Sequence, residues 1–290
     1  SANCVKLVQN GKTISVQSLS PNKMFPSRNY IHLVGMINRS IDVFTKLEYY
    51  RVIPILINGE PGLGKSKFLD FLAFNSKIGH IRKVDLTEFT NSEIPLATIL
   101  STALPTKITS HTVIIIDELD KYISSVCKVD ESPERINDIL LNHVLNTIES
   151  DSTSSFCIYI IFCSNNFNTM FDYIAPDRKI HYESLKNRFL KVIFHRLDKA
   201  EFGKYIHWLT KQISADVDMN QIDQLINQLP NDFSITSRDL NNECIVRHFD
   251  IEEICRTIQS SPEHIEPVPP VYLPVEKPKV EVPKVEVPKV

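Results

Sequence analysis

The run Gly59-Glu60-Pro61-Gly62-Leu63-Gly64-Lys65-Ser66 fits the pattern G-x-x-x-x-G-K-S/T, in which each residue type has a physical task. Glycines let the backbone wrap inward, so that successive N–H groups point at an anion. A helix starting where the loop ends, at Lys67, adds the positive end of its dipole. Lys65 supplies a cation for the β- and γ-phosphates of a nucleoside triphosphate, and the Ser66 hydroxyl is a ligand for Mg²⁺. An apolar run, 53–57, precedes the loop and an amphipathic stretch, 67–74, follows it. Strand, loop and helix in that order are what the motif requires. The expected ligands are ATP and Mg²⁺.

Two further sets of polar residues close apolar runs. His111-Thr112-Val113-Ile114-Ile115-Ile116 leads into Asp117-Glu118. Neighbours on a strand point to opposite sides, which predicts different tasks for the two acids. Asp117 is placed to hold the magnesium shell, and Glu118 to orient and polarise the water that attacks the γ-phosphate. A second run, 155–162, ends in Cys163-Ser164-Asn165-Asn166. A polar side chain there faces the crevice at the carboxyl ends of a parallel sheet. Asn165 is the candidate to bond both γ-phosphate and water, with Asn166 as the alternative. Asparagine also favours turns that follow strands.

These residues need a scaffold. Five short β-branched runs, at 52–57, 81–86, 113–116, 158–162 and 191–194, alternate with helical stretches. Near-continuous apolar strands alternating with helices predict an α/β fold, a five-stranded parallel sheet with helices on both faces. Before it, residues 5–16 read as a hairpin turning at Asn10-Gly11. Residues 21–28 read as a loop, and a helix is predicted from Ile37 to Tyr49 on the spacing of Ile37, Ile41, Val43, Phe44 and Leu47. Beyond Phe194 the strands stop, and helices are predicted at 199–213, 219–228, 236–247 and 251–259. The expected division is an N-terminal segment (1–27), the α/β nucleotide-binding core (28–196), a small helical lid domain (197–260) and a proline-rich tail (261–290). The tail ends in Val-Glu-Val-Pro-Lys repeats, which cannot build a core and predict an extended, disordered spacer.

Bulk composition narrows the partners. The net charge is −3 over 290 residues, without the basic excess of a generic polyanion binder. The six cysteines form no CxxC pair, and Cys157 and Cys163 lie in an apolar run. A reducing, intracellular setting is expected. No apolar stretch reaches the roughly 20 residues that span a bilayer, and no secretory signal is expected.

The order of motifs resembles that of AAA+ ATPases, a branch of the P-loop NTPases, from about Gly35 to Arg256. The phosphate loop, Ile114-Ile115-Ile116-Asp117-Glu118-Leu119-Asp120-Lys121 and Cys163-Ser164-Asn165 carry the likeness. Residues 139–148 are similar to the helix between acidic pair and sensor strand in the AAA branch. Ser184-Leu185-Lys186-Asn187-Arg188-Phe189 resembles the arginine-finger segment of clamp-loader-like members, which implies that Arg188 reaches the nucleotide of a neighbouring subunit. Arg178 is the weaker candidate, and the pair of arginines typical of the AAA branch is absent. Thr236-Ser237-Arg238-Asp239-Leu240 looks like a second sensor motif, implying that Arg238 lowers the lid onto the nucleotide. The resemblance further implies a base site near Val34-Gly35 ahead of the helix, a homo-oligomeric ring, a hexamer in form, and an ATPase that remodels a protein or nucleic-acid substrate. The alternative is a helicase or helicase loader of the superfamily 3 type, at a nuclear or viral replication site. Lys121-Tyr122 and residues 186–191 are the candidate pore positions in that case.

Overall fold

The computed structural model describes residues 7–9, 12–14, 24–48, 52–89, 99, 102–103, 108–122, 155–165 and 189–261. Arg178, Arg188, Asn166, the stretch 139–148 and the tail from residue 262 lie outside the described residues. At the start, β1 (Leu7–Gln9) and β2 (Lys12–Ile14) pair antiparallel with Gln9 opposite Lys12.

The five apolar runs form the strands β3 (Val52–Asn58), β4 (His80–Asp85), β5 (Thr112–Asp117), β6 (Ile158–Ser164) and β7 (Leu190–Ile193). They line up as β4-β5-β6-β3-β7, and every pairing is parallel. Each residue of β5 and β6 is buried, as expected of central strands covered on both faces. The strand that leads into the glycine loop, β3, lies between β6 and β7, while the next strand in the chain, β4, is at the far edge. The order of building thus reverses at β3. That reversal opens a crevice at the carboxyl ends of the strands, where such sheets hold ligands. Register brings the polar residues to that edge: Asp85 is opposite Asp117, and Asn58 is opposite Ser164.

Helix α1 (Arg28–Leu47) starts at Arg28 rather than at Ile37. Ser27 caps it, its Oγ accepting the N–H of Tyr30 at 3.4 Å. Tyr30, Leu33, Val34, Ile37 and Ile41 form the buried stripe, with the spacing of one helical face. Ile37 and Ile41 are on that stripe as expected and Phe44 packs against the core, while Val43 and Leu47 are exposed. Val34 and Gly35 accordingly sit within the helix, Val34 in the core, and not at a base site ahead of it. Helix α2 (Phe68–Asn75) follows the loop.

After β7 the chain forms α3 (Lys199–Ile213), α4 (Met219–Asn227), α5 (Ser237–Val246) and α6 (Ile251–Ser260), within one or two residues of the predicted spans. Asp198, Asp218, Thr236 and Asp250 cap them, each side chain accepting a first-turn N–H. Such caps contribute about 1 kcal/mol each. The expectation that strands stop at Phe194 missed one feature. Two-residue strands, β8 (Leu197–Asp198) and β9 (Ser234–Ile235), pair antiparallel and are too short to leave a periodic signal. This helical region has its own apolar core around Phe202, Ile206, Phe233 and Ile254, separate from the core of the sheet.

The first turn of α1 and the segment ahead of it clasp the two cores together. Asn29 Nδ2 donates to His195 O at 2.8 Å, and His195 N donates back to Asn29 Oδ1 at 3.1 Å. Arg28 N donates to Glu201 Oε2 at 2.9 Å, and the Phe25 ring packs 5.3 Å from that of Tyr205. The Arg28–Asp198 ion pair at 3.0 Å is about half exposed and adds little.

Gly35 provides a test of the helix assignment. A Cβ there would meet only the guanidinium of Arg39, at 3.3 Å, the movable end of a long side chain. Gly35→Ala is expected to stabilise the chain by about 0.5–1 kcal/mol in urea unfolding and to leave nucleotide affinity unchanged. A loss of affinity would return Gly35 to the site.

Candidate functional site

The glycine loop is held from several sides. Leu63 is buried in the sheet core, which pins the crest of the loop. Gly59 N donates to Ser164 O at 3.3 Å, and a Cβ on Gly59 would lie 2.9 Å from both Leu63 Cδ1 and Phe194 O. Gly62 and Gly64 have φ of 92° and 81°, the left-handed region that glycine tolerates. A Cβ on Gly64 would fall 2.3 Å from Tyr30 Oη, whose hydroxyl donates to Gly64 O at 2.8 Å. Burial raises the Tyr30 pKa further above its ordinary value, with Asp70 adding to the effect, so this hydroxyl keeps its proton. Glu60 turns away from the crevice to a two-point ion pair with Arg196, whose Nη2 lies 2.7 Å from Oε2. From the helical region, Arg238 N donates to Gly62 O at 3.0 Å.

Lys65 is only 7% exposed and folds back over the loop, donating to Gly59 O and, at 2.8 Å, to Glu60 O. Burial lowers its pKa, while Cys163 and the acids Asp117, Asp120 and Glu118 oppose that shift. Lys67 N and Phe68 N both donate to Gly64 O, at 3.0 and 3.1 Å, so helical bonding starts inside the loop although α2 proper begins at Phe68.

Across the crevice, Ser66 Oγ donates to Asp117 Oδ2 at 2.6 Å. Lys83, reaching over from β4, places its Nζ 3.1 Å from the same oxygen. Glu118 N donates to Asp117 Oδ1 at 3.1 Å. Strand alternation is not what separates the two acids, contrary to the sequence expectation. Glu118 has left the strand and takes φ of 60°, a conformation uncommon outside glycine that recurs at functional positions. Its carboxylate pairs with Lys121 Nζ at 2.9 Å, and the hydrogen bond to Glu118 is the main cause that raises the Lys121 pKa. Asn165 follows directly on β6 and lines the same crevice. Asp120 lines the crevice too, and its Oδ1 is buried without a hydrogen-bond partner, which marks polar capacity that a ligand or its water would fill.

The crevice is a cleft of about 830 Å³, within the size range of small-molecule sites. One end is polar, lined by Pro61, Gly62, Gly64, Lys65, Ser66, Lys67, Asp117, Glu118, Asn165 and Arg238. The other is apolar, lined by Met24, Phe25, Tyr205 and Trp208. Gly59, Glu60 and Leu63 support the loop without lining the cleft. Among the described residues no group of three His, Cys, Asp or Glu side chains could cage a metal. Magnesium needs no such cage, since it uses one or two protein oxygens together with phosphates and water. Ser66 and Asp117 supply those oxygens. A cradle closed to any Cβ, a buried lysine and an unpartnered carboxylate oxygen of Asp120 at one end of a cleft fit a magnesium-bound polyphosphate.

Sequence reasoning missed Tyr30, Lys83, Arg196 and the aromatic end of the cleft. Lys83 did leave a signal, as a cation two residues ahead of the carboxyl end of a strand bound for a buried sheet. The others depend on contacts between residues more than thirty positions apart.

Residues 55–184 match the model of the ATPase family associated with various cellular activities (AAA). An uncharacterised protein of Acanthamoeba polyphaga mimivirus is 22% identical, covering 85% of this chain, and the chain spans 59% of that relative's length. The ORC2 protein of Aeropyrum pernix, solved as ADPNP and ADP complexes, has a similar fold, with TM-score 0.51, 12% identity, and coverage of 83% of this chain and 71% of that one. Domain III of the Thermotoga maritima replication initiation protein DnaA has TM-score 0.43 and 12% identity over 80% of this chain and 92% of that one.

Gly64 tests the cradle most simply. Gly64→Ala adds a clash with Tyr30 to the backbone cost of about 1–3 kcal/mol for a side chain in this conformation. The expected outcome is loss of ATP affinity by at least about tenfold in equilibrium binding. Unchanged affinity would remove the loop from the site.

Proposed function

We propose that the chain, whose residues 55–184 match the AAA family model, is an AAA+ P-loop ATPase that binds ATP with magnesium and hydrolyses it to drive remodelling of a macromolecular substrate. The observation that carries this reading is the convergence of Lys65, Ser66, Asp117, Glu118 and Asn165 on one end of one cleft. In it, Lys65 swings from the loop carbonyls to the β- and γ-phosphates, and loop N–H groups bind the remaining phosphate oxygens. Ser66 and Asp117 hold the metal, which when bound neutralises phosphate charge. Glu118 orients the attacking water and accepts its proton, and Asn165 bonds the γ-phosphate and that water.

The helical region is read as a lid. Its Arg238 already meets the loop through its backbone, and its side chain is exposed at the cleft, where it can report phosphate loss to the lid. Arg188 is proposed as the finger that completes the site of a neighbouring copy, so the active form is a homo-oligomeric ring. No described helix is long and apolar enough to cross a membrane.

Glu118→Gln is expected to lower the ATP turnover rate by about 10²-fold or more while the ATP Kd stays within about twofold. Turnover retained in that variant would remove Glu118 from the chemistry. Arg188→Ala is expected to lower turnover without weakening ATP binding, and only under conditions where the chain self-associates. A monomer with full activity would contradict the shared site. Stimulation of turnover by single-stranded DNA or RNA, against unfolded protein, separates the substrate classes, and a nucleic-acid effect must fall with added salt.

A further inference from the structure

Lys83 has no assigned task in the reading above, yet it reaches the central carboxylate of the site. Its strand is paired with β5 so that Lys83 is level with Ile115 and Asp85 with Asp117. From there its ammonium lies 3.1 Å from Asp117 Oδ2, the oxygen that also accepts the Ser66 hydroxyl at 2.6 Å. A carboxylate oxygen has about two acceptor sites, and these two donors take both. The other oxygen accepts Glu118 N. The Asp117 side chain is only 8% exposed, a depth at which an unpaired carboxylate is costly.

We propose that Lys83 is a placeholder cation, which compensates Asp117 while no metal is bound and gives up its place on Oδ2 when magnesium or a magnesium-bound water takes it. This rests on Ser66 and Asp117 being the metal-side residues. Lys83 is a positioning residue, since it acts through Asp117. The fit is in its setting. Its side chain is 34% exposed, so the ammonium has water to retreat into, and its long stem can swing without moving the strand. Lys65 cannot do this task, because its ammonium is taken by Gly59 O and Glu60 O. Lys121 is paired with Glu118. The consequence is a lowered affinity for magnesium, and a nucleotide site whose charge stays balanced when empty.

The test compares the wild type, Lys83→Met and Lys83→Arg by calorimetric binding of a non-hydrolysable ATP analogue, once in EDTA and once in excess Mg²⁺. The readout is the ratio of the two Kd values. Methionine keeps the stem and removes the charge, and its ratio is expected to exceed the wild-type ratio about tenfold, the effect of a unit charge on a divalent cation roughly 6 Å away in a water-like medium. Arginine keeps the charge and is expected to stay near the wild-type ratio. Circular dichroism of each variant checks the fold, and the Mg²⁺-induced rise in Tm with the analogue bound is expected to be largest for Lys83→Met. An equal or smaller ratio for Lys83→Met, with wild-type binding intact, overturns the placeholder role alone. Absence of analogue binding by the wild type in both conditions overturns the phosphate-site reading and this inference with it.

Discussion

The structure depends on how the carbonyl groups of one loop are bonded. Gly59 O and Glu60 O accept the Lys65 ammonium, Gly62 O accepts Arg238 N, and Gly64 O accepts the Tyr30 hydroxyl and the first helical N–H groups. In a planar trans peptide the next N–H points away from the carbonyl, so bonding the carbonyls sets the direction of the N–H groups. The donors come from four places in the chain: helix α1, the loop's own lysine, the first turn of α2 and the helical region. Leu63 and the Glu60–Arg196 pair fix the same loop from beneath and from the side. A loop held this way loses little entropy when it takes a ligand, which is the general benefit of a preorganised site.

The same contacts tie the two cores to the cleft. Arg238 N on Gly62 O is a direct link between helical region and loop. The segment from Met24 to Asn29 forms a second link, with Phe25 on Tyr205 and Asn29 on His195. Both links flank the cleft, one at its polar end and one at its aromatic end. A change at the phosphate end therefore has a short path to the helices. Glu118 is the strained point of the polar end, since its left-handed backbone sets the carboxylate beside Lys121 and off the line of β5.

Much of this was legible in the sequence because it is local. The loop is a contiguous pattern, the strands are short apolar runs, and the four helices after β7 lie within one or two residues of their expected spans. The start of α1 was misread for the same reason. Val43 and Leu47 are apolar but exposed, and only the packed sheet shows that Tyr30, Leu33 and Val34 are the buried stripe. Val34 and Gly35, where the base site was expected, lie inside that helix, and the cleft is lined by Met24, Phe25 and Trp208. Lys83 and Arg196 find their partners only through strand order and the return of the chain after β7. Such partners carry no sequence spacing.

Calorimetric titration of ATP and Mg²⁺ into the wild-type chain and into Lys65→Ala tests the central claim most directly. The account predicts magnesium-dependent binding by the wild type and a loss of at least about tenfold in affinity in the variant, since a charge-assisted contact to phosphate contributes about 1.5–3 kcal/mol. Equal affinities for the two proteins, or no ATP binding by the wild type, would contradict it.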